Sequence, residues 1–233
     1  METHMENKKM LYSHVSVDCV LLGVNEDKLC VLLVERKVDK SDEKHYKLPG
    51  SLIYENEDLD TAAYRVFNEA TGLKRVPLKQ FRSFGSPSRT KNADDMQWLE
   101  NAMKLKIERI VTVAYLALSK IGRKSNPTNK YTSLAWFPVD SLPPLPFDHR
   151  EIIGAAVEEI REWVEKEPSI IFDYLPMKFT AFQLRRTYEI IYNKEMDVRN
   201  FHKKMSSLEY IVPTDEIETG VAHRAARYYR FDK

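Results

Sequence analysis

The sequence predicts an α+β chain in two parts: a mixed sheet between helices, then a small helical part that ends in a hairpin. Three observations predict it. Apolar β-rich runs and helix-period segments alternate as far as about residue 166. After Pro168 the pattern changes to two capped helices and two short runs rich in β-branched and aromatic residues. The length, 233 residues at 43% hydrophobic and 30% charged, suits globular structure and allows two domains. The expected domains are residues 11–166 and 169–233.

His14 to Val24 (HVSVDCVLLGV) and Leu29 to Val34 read as two strands of a hairpin, with Asn25-Glu26-Asp27 as the turn. Tyr46 to Tyr54 reads as a strand interrupted by Pro49-Gly50. The spacing of Leu59, Ala62, Ala63, Val66, Phe67 and Ala70 predicts a helix over 59–71, and Gly72 stands where a helix C-cap belongs. Val76 to Phe84 and Ile110 to Leu118 read as strands, and Ala93 to Lys106 between them as an amphipathic helix. Gly122 to Thr132 is a polar loop, Leu134 to Val139 a short strand, and Arg150 to Val164 a helix with Ile152, Ile153, Ala156, Val157, Ile160 and Val164 on one face.

Beyond Pro168, Thr180 and Gln183 form a capping box that opens a helix to Tyr192. Asp197 caps a second helix, with Val198, Phe201, Met205 and Leu208 expected on its buried stripe. Tyr210-Ile211-Val212 and Arg227 to Phe231 read as strands around an irregular loop.

The formal charge of +1 excludes a chain that is basic or acidic throughout, but not charge separated between its parts. Only 7 Gly argues against a glycine-rich nucleotide loop or a repeat array, and no apolar run approaches a membrane span. The opening METHMENKKM lacks the apolar stretch of a signal peptide, so the expected compartment is the cytoplasm. Cys19 and Cys30 sit in strand-like runs, as free buried thiols in a reducing compartment would. No His, Cys or carboxylate spacing suggests a zinc site, and no arrangement suggests a nucleophilic triad.

The stretch Gly50 to Leu73 (GSLIYENEDLDTAAYRVFNEATGL) resembles the Nudix signature, G-x5-E-x7-R-E-U-x-E-E-x-G-U with U aliphatic. Glu57, Arg65, Glu69, Gly72 and Leu73 match it. Ser51 replaces its first Gly, Val66 the Glu after Arg, and Ala70 the second of the paired Glu. The resemblance implies a Nudix fold over roughly residues 11–166. In that family several carboxylates on this helix hold magnesium, which neutralises phosphate charge and activates water. Valine and alanine supply none, so the expectation is a catalytically disabled domain without metal or cofactor. Magnesium enters only on the alternative reading, an active hydrolase of a nucleoside-diphosphate derivative such as ADP-ribose. Arg65 and Glu69, four apart, are expected to pair with each other, and Glu57 to cap or brace the turn into the helix.

The order helix, helix, hairpin after Pro168 suits a winged helix-turn-helix. With its apolar stripe buried, the second helix exposes Arg199, Asn200, His202, Lys203 and Ser206, with Lys204 nearby, and no acid falls between Val198 and Leu208. Such a face offers cations to phosphates and Arg or Asn to base edges. The hairpin adds His223, Arg224, Arg227 and Arg230 beside Tyr228 and Tyr229. From residue 169 onward there are 11 Lys+Arg and 9 Asp+Glu, with Glu209, Asp215, Glu216 and Glu218 clustered between the two basic runs. The DNA-contact candidates are Arg199, Asn200, His202, Lys203, Lys204, Arg224 and Arg227.

Together the two parts resemble the bacterial Nudix-related transcriptional regulators. Phe147-Asp148-His149, Tyr174-Leu175-Pro176, Phe179-Thr180, Leu184-Arg185-Arg186, Tyr188-Glu189, DVRNF at 197–201 and Tyr229-Arg230-Phe231 carry that resemblance. It implies a homodimer on palindromic double-stranded operator DNA and a small-molecule effector in the first domain. Some members respond to ADP-ribose and others to sugars such as arabinose; the single-glutamate form RVFNEATGL is closer to the sugar-responsive type. Tyr46, Lys47, Glu69, Phe84 and Arg89 are the effector-pocket candidates, by position near the motif. Two departures stand out: His223-Arg224-Ala225-Ala226 in place of a Gly-Arg-Pro-Ala-like run, and an apparent inserted helix at 92–106.

Overall fold

A computed structural model describes residues 11–25, 27–36, 44–73, 76–119, 121, 133–220, 222 and 225–232. The chain divides into two compact units. One takes the described residues up to Leu21, those of Val31–Ala117 and those from Ser133 to Ala156; the other takes those of Leu22–Cys30, those of Leu118–Arg123 and those from Val157 onward.

The expected hairpin forms from β1 (Leu11–Asn25) and β2 (Lys28–Arg36). Pro49 divides the next run into β3 (His45–Lys47) and β4 (Gly50–Tyr54), which pair with different strands, β3 with β2 and β4 with β1. Helix α1 (Leu59–Thr71) has the anticipated bounds. Asp58 caps it, accepting from Thr61 N–H at 2.7 Å. Gly72 ends it in the left-handed region at φ 68, where a side chain is strained. β5 (Lys79–Phe84) starts three residues later than anticipated. A 3₁₀ turn, Pro87–Thr90, leads to α2 (Ala93–Met103). That helix stops short of Lys106 because Lys104 turns left-handed at φ 54. β6 (Val111–Leu118) and β7 (Leu134–Pro138) complete a seven-stranded sheet, and α3 (His149–Lys166) follows. The loop expected at 122–132 lies outside the described residues.

β1 serves two faces, as strand alternation requires. Its odd residues Val17, Cys19 and Leu21 pack with Ala62, Ala63, Val66 and Phe67 of α1. A second apolar cluster, Leu52, Ile107 and Ile110, lies against Met96, Leu99 and Met103 of α2.

In the second unit a 3₁₀ helix, Pro168–Asp173, precedes β8 (Lys178–Thr180), α4 (Ala181–Tyr192), α5 (Val198–Ser206), β9 (Ile211–Ile217) and β10 (Arg227–Phe231). The strands form a three-stranded sheet in the order β8-β10-β9. The 3₁₀ helix and β8 were not anticipated, and β9 runs five residues further than the expected Val212. Pro213 is tolerated inside β9 because β9 is an edge strand. Phe172 stacks on Phe231 at 4.4 Å and meets Phe179 and Tyr210, so the 3₁₀ helix is part of this small core. Among the described residues no helix is long and apolar enough to cross a membrane.

Candidate effector cavity and nucleic-acid helix

Arg65 and Glu69 of the signature helix and Glu57 just before it form one charged cluster. Glu57 accepts the Tyr54 N–H at 2.8 Å and Arg65 Nε at 2.9 Å, with Arg65 Nη2 on its other oxygen. Arg65 also donates to Leu52 O at 3.2 Å and lies 4.3 Å over the Tyr54 ring. Its approach to Glu69 is longer, 3.7 Å. The expected Arg65–Glu69 pair is thus secondary, and Glu57 is the principal partner. Of the two roles expected of it, Glu57 braces the turn, tying the strand end at Tyr54 to Arg65 of the helix, while the cap is Asp58.

Val66 and Ala70 are fully buried in apolar clusters. A carboxylate at either position would lose its hydration with no partner in place. Of the three signature positions 66, 69 and 70 on that helix only Glu69 keeps a carboxylate, beside a cation, and among the described residues no group of three or more His, Cys, Asp or Glu could hold a metal ion. The side chains present do not fit the magnesium that the signature serves elsewhere.

A cavity of about 320 Å³ lies in the same unit, on the other side of the sheet. Its walls come from β1 (Ser16, Asp18), β2 (Glu35, Arg36), Lys47, β4 (Gly50, Ser51, Leu52), Arg89 and Thr90, α2 (Trp98, Leu99, Ala102, Met103), Ile110, Phe147 and His149. No residue of α1 lines it. Ser16 and Asp18 of β1 face the cavity, while Val17, Cys19 and Leu21 face α1. The apparent insertion is therefore a wall of the cavity.

Asp18 is the centre of its polar end. It is buried and accepts Thr112 Oγ1 at 2.8 Å. Arg89 Nη2 lies 3.6 Å from it and binds Asp148 through Nε and Nη2 at 3.0–3.2 Å. Gly50 stands opposite: a Cβ there would sit 1.9 Å from Asp18 Oδ1, so only glycine lets the carboxylate keep this position. Lys47 Nζ donates to Leu48 O and Gly50 O, both at 3.0 Å. His149 accepts the Leu48 N–H on Nδ1 at 3.2 Å, and its Nε2 faces Asp18 at 3.7 Å. Burial lowers its pKa to about 4 against the opposing pull of Asp18, so the ring is neutral with its proton on Nε2. Arg36 binds Asp95 at 2.9 Å and lies 5.0 Å over the Trp98 ring. Asp95 also accepts the N–H of Phe147, whose φ of 53 is unusual for a bulky residue, at 3.1 Å.

Of the five pocket candidates, Lys47 and Arg89 line the cavity and Tyr46, Glu69 and Phe84 do not. Tyr46 alternates to the opposite side from Lys47 and packs on Phe137 at 4.7 Å. Glu69 is on α1, across the sheet, and Phe84 is buried beside Phe81. Sequence reasoning missed Asp18, Arg36, Trp98 and His149. A lone acid inside the run VSVDCVLL was the available signal.

In the second unit the capping box of α4 forms, with Thr180 N–H on Gln183 Oε1 at 2.9 Å and Gln183 N–H on Thr180 Oγ1 at 3.2 Å. Asn193 ends α4 at φ 50. Buried Glu189 then accepts the Met196 N–H at 2.9 Å and Arg186 Nη1 at 3.1 Å, and pairs with Arg185, which fixes the turn into α5. On α5, Phe201 and Met205 are buried, while Arg199, Asn200, His202, Lys203, Lys204 and Ser206 are exposed. Asp197 caps it through Asn200 N–H at 2.8 Å. The expected stripe needs correction at both ends. Val198, the first residue of the helix, is 50% exposed, and Leu208, beyond the helix, is half-buried. Arg227 is exposed on β10; His223 and Arg224 lie outside the described residues.

A sheet that separates a packed helix from a ligand-sized cavity, joined in one chain to a basic helix-turn-helix, defines a two-domain binding protein. The chain belongs to the NUDIX family, whose domain matches residues 12–156. Residues 171–231 match the NrtR DNA-binding winged helix domain. A curated relative, the ADPR responsive transcriptional repressor NtrR of Acinetobacter baylyi, is 24% identical over 93% of this chain and 81% of its own length. The crystal structure of Shewanella oneidensis NrtR complexed with a 27mer DNA is similar at TM-score 0.70 and 23% identity, over 94% of this chain and 93% of that one. The NUDIX domain of the same protein complexed with ADP ribose is similar at TM-score 0.50 and 26% identity, over 64% of this chain and 89% of that one.

Proposed function

We propose that this protein is a DNA-binding transcriptional regulator whose catalytically disabled NUDIX domain senses a small molecule. The observation that carries the reading is the division of labour across β1. The helix that should hold metal is packed into the core through Val66 and Ala70, while the opposite face keeps a walled cavity with buried polar groups. The acid-free exposed face of α5 supplies the DNA-contacting half, with Arg199, Asn200, His202, Lys203 and Lys204 on the helix and Arg227 on β10; Arg224, outside the described residues, is kept as a candidate from the sequence. It acts in the cytoplasm as a homodimer on a palindromic operator, one recognition helix per half-site, and needs no cofactor. The effector shifts operator affinity by its differential affinity for two states of the dimer.

Two effector classes are supported. The responsiveness printed for the Acinetobacter relative supports an ADP-ribose-like nucleotide. The pairing of Arg89 with Asp148 and of Arg36 with Asp95, beside acceptors Asp18 and Glu35, supports a neutral sugar such as arabinose, which needs no free cation. One experiment tests the whole reading. Binding of the intact protein to duplex DNA from upstream of its own gene is measured with ADP-ribose, with L-arabinose and with neither. Binding that is salt-dependent and altered by one of the two supports the reading; no binding to any duplex at low salt overturns it. Hydrolysis of ADP-ribose with magnesium or manganese, lost in Glu69→Ala, establishes the hydrolase alternative instead.

A further inference from the structure

The cavity of the first unit has two sides of unlike chemistry. Asp18, Lys47, Arg89 and His149 make one side polar. The other side is α2, which lines it with Trp98, Leu99, Ala102 and Met103, two pairs at spacings of four on one stripe. Ala102 is exposed and the other three are half-buried. An apolar wall left facing a cavity is stabilised when apolar ligand surface covers it. The cations on the walls are already engaged. Arg36 pairs with Asp95, Arg89 pairs with Asp148, and Lys47 donates to Leu48 O and Gly50 O. A diphosphate would have to break buried pairs to be held. Arg36 Nε, by contrast, is buried and has no hydrogen-bond partner among the described residues. Its guanidinium lies 5.0 Å over the Trp98 ring, beside the apolar wall. A buried donor in that state is satisfied by an oxygen brought by a ligand.

We infer that α2 is the specificity element of the cavity, and that it selects a neutral sugar carrying an apolar group, an aryl or alkyl glycoside, over the free sugar. The inference rests on the sugar reading above and deepens it. Hydroxyls of the sugar are received at Asp18, a buried acceptor. A free pentose is hydroxylated all round. Against α2 it would press hydroxyls on Leu99 and Met103 with no partner for them, or leave that wall to water. An apolar aglycone covers the wall instead, and the oxygen that links it to the sugar is an uncharged acceptor of the kind Arg36 Nε lacks. The cavity's 320 Å³ falls where sites for drug-sized ligands begin, which suits a sugar with a substituent.

The test measures binding to the intact protein by calorimetry, with L-arabinose, methyl α-L-arabinofuranoside, 4-nitrophenyl α-L-arabinofuranoside and ADP-ribose. The nitrophenyl glycoside is expected to bind at least about tenfold more tightly than the methyl glycoside or the free sugar, the effect of burying roughly 60 Å² of its ring. Ala102→Asp puts a charge on the apolar wall at an exposed helix position, where the cost to the fold is small. In it the ratio of the nitrophenyl to the methyl dissociation constant is expected to return to about one. If the nitrophenyl glycoside binds no better than L-arabinose in the wild type, the inference is overturned and the sugar reading stands. The same follows if the preference survives in Ala102→Asp. Should that variant fail to fold, the wild-type comparison of the two glycosides decides. If ADP-ribose binds and no arabinoside does, the sugar reading fails and this inference fails with it. If none of the four binds, the inference is likewise overturned, and salt-dependent binding to duplex DNA still tests the regulator reading separately.

Discussion

The backbone N–H of Leu48 donates to Nδ1 of buried His149 at 3.2 Å, which commits that ring nitrogen to accepting and the ring to neutrality. Burial is the chief cause of the lowered pKa, about 4; Asp18 and Asp148 oppose it, and Lys47 and Arg89 add to it. The unfolded chain takes up a proton near the ordinary 6.5, whereas the folded one waits until about 4. Between those values the unfolded state binds more protons, so stability falls as pH falls, by on the order of 3 kcal/mol across the window. Above 6.5 the residue is neutral in both states and adds no slope. In His149→Asn the amide oxygen accepts from Leu48 and cannot titrate. Urea unfolding at a series of pH values should show a shallower fall for the variant; parallel profiles would refute the assignment.

Arg65 depends on Glu57 more than on Glu69. Removing Glu57 takes from Arg65, a largely buried guanidinium, its principal acceptor, and from the Tyr54 N–H its bond to Oε1. Glu57→Ala is expected to destabilise by about 3 kcal/mol, the usual cost of stranding one member of a buried pair. Glu69→Ala, at the longer contact, should cost less than about 1 kcal/mol. Chemical denaturation of the two variants compares them directly, and equal losses would show that the ranking is wrong.

Gly50→Ala drives a methyl into Asp18 Oδ1. The carboxylate must swing away from Thr112 and Arg89 or the β1–β4 pairing must part. A loss of about 1–3 kcal/mol is expected, as for other overpacking changes. Effector binding should weaken further than in a Ser51→Ala control, measured by calorimetry with whichever of ADP-ribose and L-arabinose binds the wild type.

Arg199 and Lys203 share the exposed face of α5. Each alanine variant should lower the slope of log affinity against log salt by about 1 where the residue meets a phosphate. A base contact instead shows as relaxed preference at one position of the site. A variant with wild-type affinity, slope and preference removes that residue from the contact list.

Much of this architecture was legible because it is local. α1 shows its period, its Asp58 cap and its Gly72 stop within fifteen residues of sequence, and the capping box of α4 is spelled by Thr180 and Gln183. What stayed hidden was non-local or too short to carry a pattern. β8 has three residues, and its partners, Tyr228 to Arg230, lie about fifty positions on. Asp18 belongs to no motif of the sequence; Thr112, 94 positions away, and the cavity reveal what it serves. Tyr46 and Phe84 seemed equally near the motif, but strand parity and packing turn both away from the cavity. Val198 keeps the helical period of Phe201 and Met205 and is half exposed nonetheless.

β1 works as a partition wall with a different tenant on each side. Changes that close the α1 side, such as Val66 and Ala70, need not be felt by Ser16 and Asp18 one residue away along the strand. The converse holds too: the cavity can be refitted for a new ligand without disturbing the signature helix. A one-residue insertion in β1 would exchange the tenants and empty both rooms at once.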